Sequence, residues 1–224
     1  MHVIELDRYL SELADNNNRA WFVMNKPRYD ILRAEFLGLV TELIAAISTF
    51  DPLLAQCDPK KAMFRINRDV RFSHDKSPYK TNFSAAMIPN GRKKPSEGGG
   101  PAYYFQMGEG RLFFAVGEYM PPSDRLKAIR QHMIEDEAGF KKLLNNKKLK
   151  ATYGQLVEEG KLQRPPKGYD PEHPHVEYLK LKSLMVWTEV PLKGLLHEDA
   201  KSRLVSGFQD AFPLVAWLRS AGES

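Results

Sequence analysis

One cysteine in 224 residues, Cys57, leaves no partner for an intrachain disulfide and excludes a zinc site built from cysteines. A reducing compartment fits that usage. Long apolar runs are missing as well. No run exceeds that of Leu43 to Ile47, which is far short of the ~20 residues that cross a bilayer. Residues 1–15 show no basic stretch followed by an apolar run, so no secretory leader is expected there. The expected compartment is the cytoplasm, with no membrane partner. Several catalytic templates are also absent: GxxxxGK[ST], GxGxxG after a strand, GxSxG and HExxH. The triple glycine at Gly98 to Gly100 lacks the Lys-Ser/Thr that a phosphate loop needs, and reads as a connection.

The composition is otherwise that of a globular chain, with 42% hydrophobic and 27% charged residues. At ~150 residues per domain, one domain over residues 1–224 is expected. The net charge of +5 is concentrated. Between Lys60 and Lys94, ten Lys or Arg stand against two Asp, a local excess of +8, and the remainder sums to −3. A localised field of this kind suits an anionic partner.

Hydrophobic spacing supplies the elements. Val3, Leu6, Leu10 and Leu13 recur at helical intervals, and Asn16 to Asn18 end that helix. Pro27 suits the first turn of a longer helix whose face carries Tyr29, Leu32, Phe36, Leu39, Leu43 and Ile47. Met63 to Ile66 is expected as a short strand with Phe64 and Ile66 on one side and Arg65 on the other. Strands follow at Phe83 to Ile88, Ala102 to Met107 and Arg111 to Tyr119, with a hairpin turn at Gly108 to Gly110. The connection 90–101 is Gly- and Pro-rich and is expected to be flexible. Helices are expected after Ser123 and Asp136, each acting as a cap. A polar turn is expected at Asn145 to Lys150 and a long loop at Arg164 to Pro174. Then come a helical turn from Val176, a strand at Met185 to Val190, and a helical pair broken at Pro213. The order predicts an α+β fold, a central, mainly antiparallel sheet flanked by N-terminal and C-terminal helices.

The chemistry concentrates in RINRDVRFSHDKSPYKTN, Arg65 to Asn82. Arg65, Arg68, Arg71, Lys76 and Lys80 crowd around Asp69 and Asp75. Adjacent guanidinium groups repel unless an anion or a carboxylate lies between them. Their planar forks match phosphate or carboxylate oxygens two at a time. Tyr79, Phe72 and Trp21 are candidate stacking faces. The competing reading is an internal ion-pair network with the leftover charge in water.

The string RDVRFSHDKSPYKTN resembles the core of a conserved-hypothetical family, a domain of unknown function. The resemblance extends to NNNRAWFVMNKPRY, Asn16 to Tyr29, and to RPPKGYDPEHPHVEYLKLKS, Arg164 to Ser183. Ala20 departs from it, an acidic residue being expected before Trp21. The resemblance implies no reaction, substrate or cofactor, but it groups residues. The sequence therefore nominates one cleft lined by Arg65, Arg68, Arg71, Lys76, Tyr79, Lys80, Trp21, Lys26, Lys167 and Tyr169. Asp69 and Asp75 are the candidate catalytic carboxylates. No metal site is nominated, because Arg and Lys crowd those carboxylates, and the cofactor is left open. An anionic small molecule is the expected partner, ahead of nucleic acid. An enzyme acting on such a ligand and a purely structural role are the alternatives.

Overall fold

A computed structural model describes residues 1–91 and 99–222. Residues 92–98, inside the connection expected at 90–101, lie outside the described residues. The chain opens with α1 (Val3–Asp15), α2 (Arg19–Met24) and α3 (Lys26–Ile47), followed by a 3-10 turn (Pro52–Gln56) and α4 (Pro59–Ala62). Strands β1 (Asn82–Met87), β2 (Ala102–Gly108) and β3 (Arg111–Glu118) come next. They are followed by α5 (Ser123–Glu135), α6 (Glu137–Leu144), α7 (Lys147–Tyr153) and α8 (Val176–Leu179). Strand β4 (Leu184–Pro191) and α9 (His197–Ser220) complete the order. The sheet is antiparallel throughout, in the order β1-β2-β3-β4. The fold is α+β, with helices at both ends. No helix among the described residues is long and apolar enough to cross a membrane.

Strand alternation sorts the side chains. Phe83, Ala85 and Met87 of β1, Tyr103, Phe105 and Met107 of β2, and Leu112, Phe114 and Val116 of β3 are all buried in the core. They meet α3 and α9: Phe36 lies 5.5 Å from Phe83 and 5.1 Å from Phe105, and Phe208 lies 5.4 Å from Tyr103. The opposite phase, including Ala86, Tyr104, Gln106, Phe113, Ala115 and Trp187, faces away from these helices. Gly117 serves the sheet itself. At φ +127° it approaches β4 so closely that a Cβ would stand 2.2 Å from the Leu184 carbonyl.

Four local expectations need correction. Met63 to Ile66 forms no strand. Met63 makes an isolated bridge to Ala85, Ile66 enters the core, and Phe64 turns to the opposite face. Asn145 to Lys150 is mostly helix rather than turn. Asn146 accepts from Leu149 N at 3.0 Å, and Leu149 and Tyr153, four apart, are buried. Ser123 does not cap: Pro122 holds that position, while Asp136 does cap its helix by accepting from Gly139 N at 3.0 Å. Pro213 does not split the last helix, which runs unbroken to Ser220. Pro213 and Gln209, whose carbonyl loses its helical partner, are both exposed, so water can replace that bond. Leu204, Phe208, Ala211, Val215 and Leu218 meanwhile keep one continuous buried face.

A charged pin crosses the core. Arg219 of α9 donates to both oxygens of Asp51 at 2.7 and 2.8 Å, and the Tyr103 hydroxyl adds a bond of 2.9 Å. Asp51 is 1% exposed. A carboxylate so deeply buried is tolerated only with its charge matched. Replacing Arg219 with Met strands it, and the expected loss is about 3–5 kcal/mol in urea unfolding. The double replacement Asp51→Leu/Arg219→Met is expected to recover much of that loss. A single mutant of wild-type stability would show that the pin does not hold the fold.

Candidate functional site

Before β1, the chain doubles back as an irregular ribbon. Phe64 N donates to Ser84 O at 2.9 Å, Lys80 N to Ile66 O at 2.8 Å and Arg68 N to Pro78 O at 2.9 Å. The Asn17 side chain clamps this ribbon from both directions. Its Nδ2 donates to Tyr79 O at 2.9 Å, and its Oδ1 accepts from Tyr79 N at 3.1 Å. The Tyr79 ring is 7% exposed and stacks on Phe22 at 4.0 Å. Tyr79 is therefore a core residue, which corrects its nomination as a ligand face. Trp21 likewise packs against Tyr9 at 5.6 Å, and Lys26 pairs with Asp30 at 2.6 Å. The first two sequence blocks thus meet, through structural contacts.

Most of the loop's charge is internally matched. Arg71 grips Asp69 through Nε at 2.9 Å and Nη2 at 2.6 Å. Arg68 bonds Asp75, whose other oxygen accepts from Ser77 N at 2.9 Å. Lys76 donates to the Val70 carbonyl at 3.0 Å. The bonds from Arg71 draw the Asp69 carboxyl down to about 2, and those from Ser77 and Arg68 hold Asp75 lower still. Carboxylates this weakly basic are poor proton acceptors, which counts against a general-base role for either.

Arg65, Lys76 and Lys80 have no carboxylate within salt-bridge distance among the described residues; Lys76 is exposed and spent on the Val70 carbonyl, Arg65 is exposed, and Lys80 is half-buried. The Lys80 ammonium rests 5.1 Å from the centre of the Phe64 ring. Burial first, and Arg65 second, lower its pKa.

The third block lies elsewhere. Leu162 N bonds Lys180 O, and Val157 N bonds Met185 O, both at 2.9 Å, placing this region along β4. Strands β1 and β4 are opposite edges, about 14 Å apart at normal strand spacing. Lys167 is exposed, Lys180 pairs with Glu177 at 2.6 Å, and Tyr169 is half-buried near the guanidinium of Arg130. The nominated single cleft is therefore not formed: Lys167 and Tyr169 do not join Lys80.

The cavity that does exist escaped the sequence reading. It has a volume of about 670 Å³ and lies on the sheet face away from α3 and α9. Small residues at paired positions, Ala86, Ala102, Ala115 and Gly117, make its floor. Its aromatic wall is a row that crosses the sheet. Phe64 and Tyr104 are 6.2 Å apart, Tyr104 and Phe113 6.1 Å, and Phe113 and Trp187 5.2 Å. Lys80 stands at the Phe64 end of this row. The available signal was the strand alternation, which put Tyr104, Phe113 and Trp187 on a face that no predicted helix needed. Glu118 also lines the cavity, but Arg125 already holds it at 2.6 Å.

A group with metal-ligand types, Glu42, His197 and Glu198, occurs far from the cavity lining. His197 and Lys201 already bond Glu42 at 3.1 and 2.9 Å, so it serves as an ion-pair knot between α3 and α9.

The loop's pairing has a pH signature. Both carboxyl pKa values lie below the ordinary ~4, so both pairs are complete above about pH 4; the Asp69 pair is lost as pH falls through about 2, and the Asp75 pair only at still lower pH. An NMR titration of side-chain carboxyl carbons is expected to place the Asp69 midpoint near 2. A midpoint near 4 would mean that Arg71 does not hold it.

No curated protein and no solved structure matches the chain. A family model does, over residues 5–217, and its description is "Conserved hypothetical protein (DUF2461)". That span takes in all three blocks and the whole sheet, and the chain belongs to this family of conserved hypothetical proteins.

Proposed function

We propose that this protein binds a small ligand with a planar, largely apolar body and an anionic group. The body lies in the sheet cavity along Tyr104, Phe113 and Trp187, and the anion meets Lys80 and Arg65 at the β1 edge. One observation carries the reading: a partly desolvated ammonium, with no carboxylate in reach among the described residues, stands at the end of an aromatic row that opens into a cavity. The volume suits a drug-sized molecule, and apolar walls with few polar groups are the usual make-up of such sites. Arg68, Arg71 and Lys76 take a supporting part, keeping the ribbon that carries Lys80 in place. A non-catalytic binding role fits best, since Asp69 and Asp75 are bound to arginines at the loop surface.

The test uses 1-anilinonaphthalene-8-sulfonate, which joins a planar body to an anion. Saturable binding with enhanced dye fluorescence is expected. Lys80→Met is expected to weaken it about tenfold, the scale of one charged hydrogen bond. Trp187→Ala is expected to weaken it through the lost stacking face. If Lys80→Met binds as the wild type does, the anion end is misplaced; if neither variant differs, the cavity is not the site.

An anion at Lys80 also favours its charged form, so its pKa is expected to rise on binding from the lowered value of the free protein. Following the Nζ resonance with and without the dye checks the direction. Salt separates this reading from nucleic acid. A small anion carries no condensed counterions and gives a shallow salt dependence, whereas a single strand gives a log–log slope of about −0.7 for each phosphate neutralised.

A further inference from the structure

The polar groups on the cavity wall point to a narrower ligand class, on the footing of the binding reading above. Gln106 lies on the open face as the direct cross-strand neighbour of Phe113. Its Oε1 accepts from the Tyr104 hydroxyl at 2.8 Å. Tyr104 is held between Phe64 and Phe113, which keeps its hydroxyl on the Gln106 amide oxygen. With Oε1 occupied, the amide offers its two Nε2 hydrogens, which meet no acceptor among the described residues. A ring stacked on Phe113 would have its edge beside these donors.

We infer that the planar body is a heterocycle carrying a hydrogen-bond acceptor on its edge, a nucleobase-type ring, read by the Nε2 donors of Gln106. Phe64, Ser84, Gln106 and Phe113 follow one another across neighbouring strands, with the Lys80 ammonium over the Phe64 end. A phosphate joined through a sugar to a ring over Gln106 is directed along that line toward the Lys80 end. The ligand class is a nucleoside monophosphate or a phosphorylated heterocycle of the same plan. Specificity then comes from an oriented donor, because a ligand without the acceptor leaves Gln106 unpaired in a mostly apolar cavity.

Isothermal titration with uridine 5′-monophosphate and phenyl phosphate tests this. Both carry the anion and a flat ring; only the first has edge acceptors. The nucleotide is expected to bind about tenfold tighter. Gln106→Glu keeps the acceptor for Tyr104 and removes the donors; Gln106→Met removes both. Each is expected to abolish the nucleotide's advantage, read as the ratio of the two affinities so that any general weakening by the carboxylate of Gln106→Glu cancels, with near-ultraviolet circular dichroism confirming the native sheet. Equal affinities in the wild type, or an advantage that survives both variants, would overturn the edge recognition and leave the cavity reading standing. If neither compound binds while the anilinonaphthalene dye does, the nucleotide class falls alone. If none of the three binds, the cavity reading falls with it.

Discussion

The antiparallel sheet is covered by α3 and α9 from one face, and that asymmetry governs much else in the molecule. Packing Phe83, Phe105, Phe114 and their neighbours against Phe36 and Phe208 fixes the strand phase. A slip of one residue would exchange the two faces, so the phase is strongly specified. Once it is set, Tyr104, Phe113 and Trp187 have to emerge on the other side. Antiparallel sheets tolerate one open face, but it is normally polar. Here it carries an aromatic row above a floor of alanine and glycine. That departure from the usual make-up is why the cavity, rather than the more heavily charged loop, takes the central place.

The charged loop then acquires a different role. Its charges do not converge on one empty point: Arg68 and Arg71 turn to Asp75 and Asp69, and Tyr79 is locked by Asn17 and Phe22. These contacts give a segment with little regular hydrogen bonding a defined path. At exposed sites individual ion pairs contribute little, about 0–1 kcal/mol each. The buried clamp on Tyr79 has more weight, because it satisfies both backbone groups of a residue whose ring is in the core. The path it enforces delivers Lys80 and Phe64 to the cavity rim. The motif that carries the family resemblance is held chiefly by its own ion pairs and by the Asn17 clamp.

Much of the fold was legible in the sequence because the signals were local. Helix α3 has its face at regular intervals from Leu32 to Ile47, and the β2–β3 hairpin has its glycines at the turn. Pro213 misled because a proline penalty is local, while Leu204, Phe208, Val215 and Leu218 pack as one face over the whole helix. The site was less legible for a related reason. Residue types show that Arg68 and Asp75 can pair, but not that they do, and only the pairing separates a structural cation from an available one. Lys80 and Arg65 were nominated alongside Arg68 and Arg71 with nothing to distinguish them. Lys167 and Tyr169 were grouped with them by resemblance, which carries no distance, and the strand order puts them at the other edge.

The state of Lys80 links these points. A partly desolvated ammonium has lost some of its hydration, and a single ring such as Phe64 returns about 0.5–1 kcal/mol at an accessible site. Arg65 nearby makes the position worse, not better. A carboxylate would relieve both charges, yet Asp69 and Asp75 are engaged by other arginines, and Glu109 bonds Thr81 and Arg111. The fold thus spends its nearby acidic groups on the loop and the hairpin, and among the described residues none reaches Lys80 at the Phe64 end of the cavity. Lys80 is therefore held by burial and by the Phe64 ring rather than by an ion pair with any described carboxylate, which sets it apart from Arg68 and Arg71.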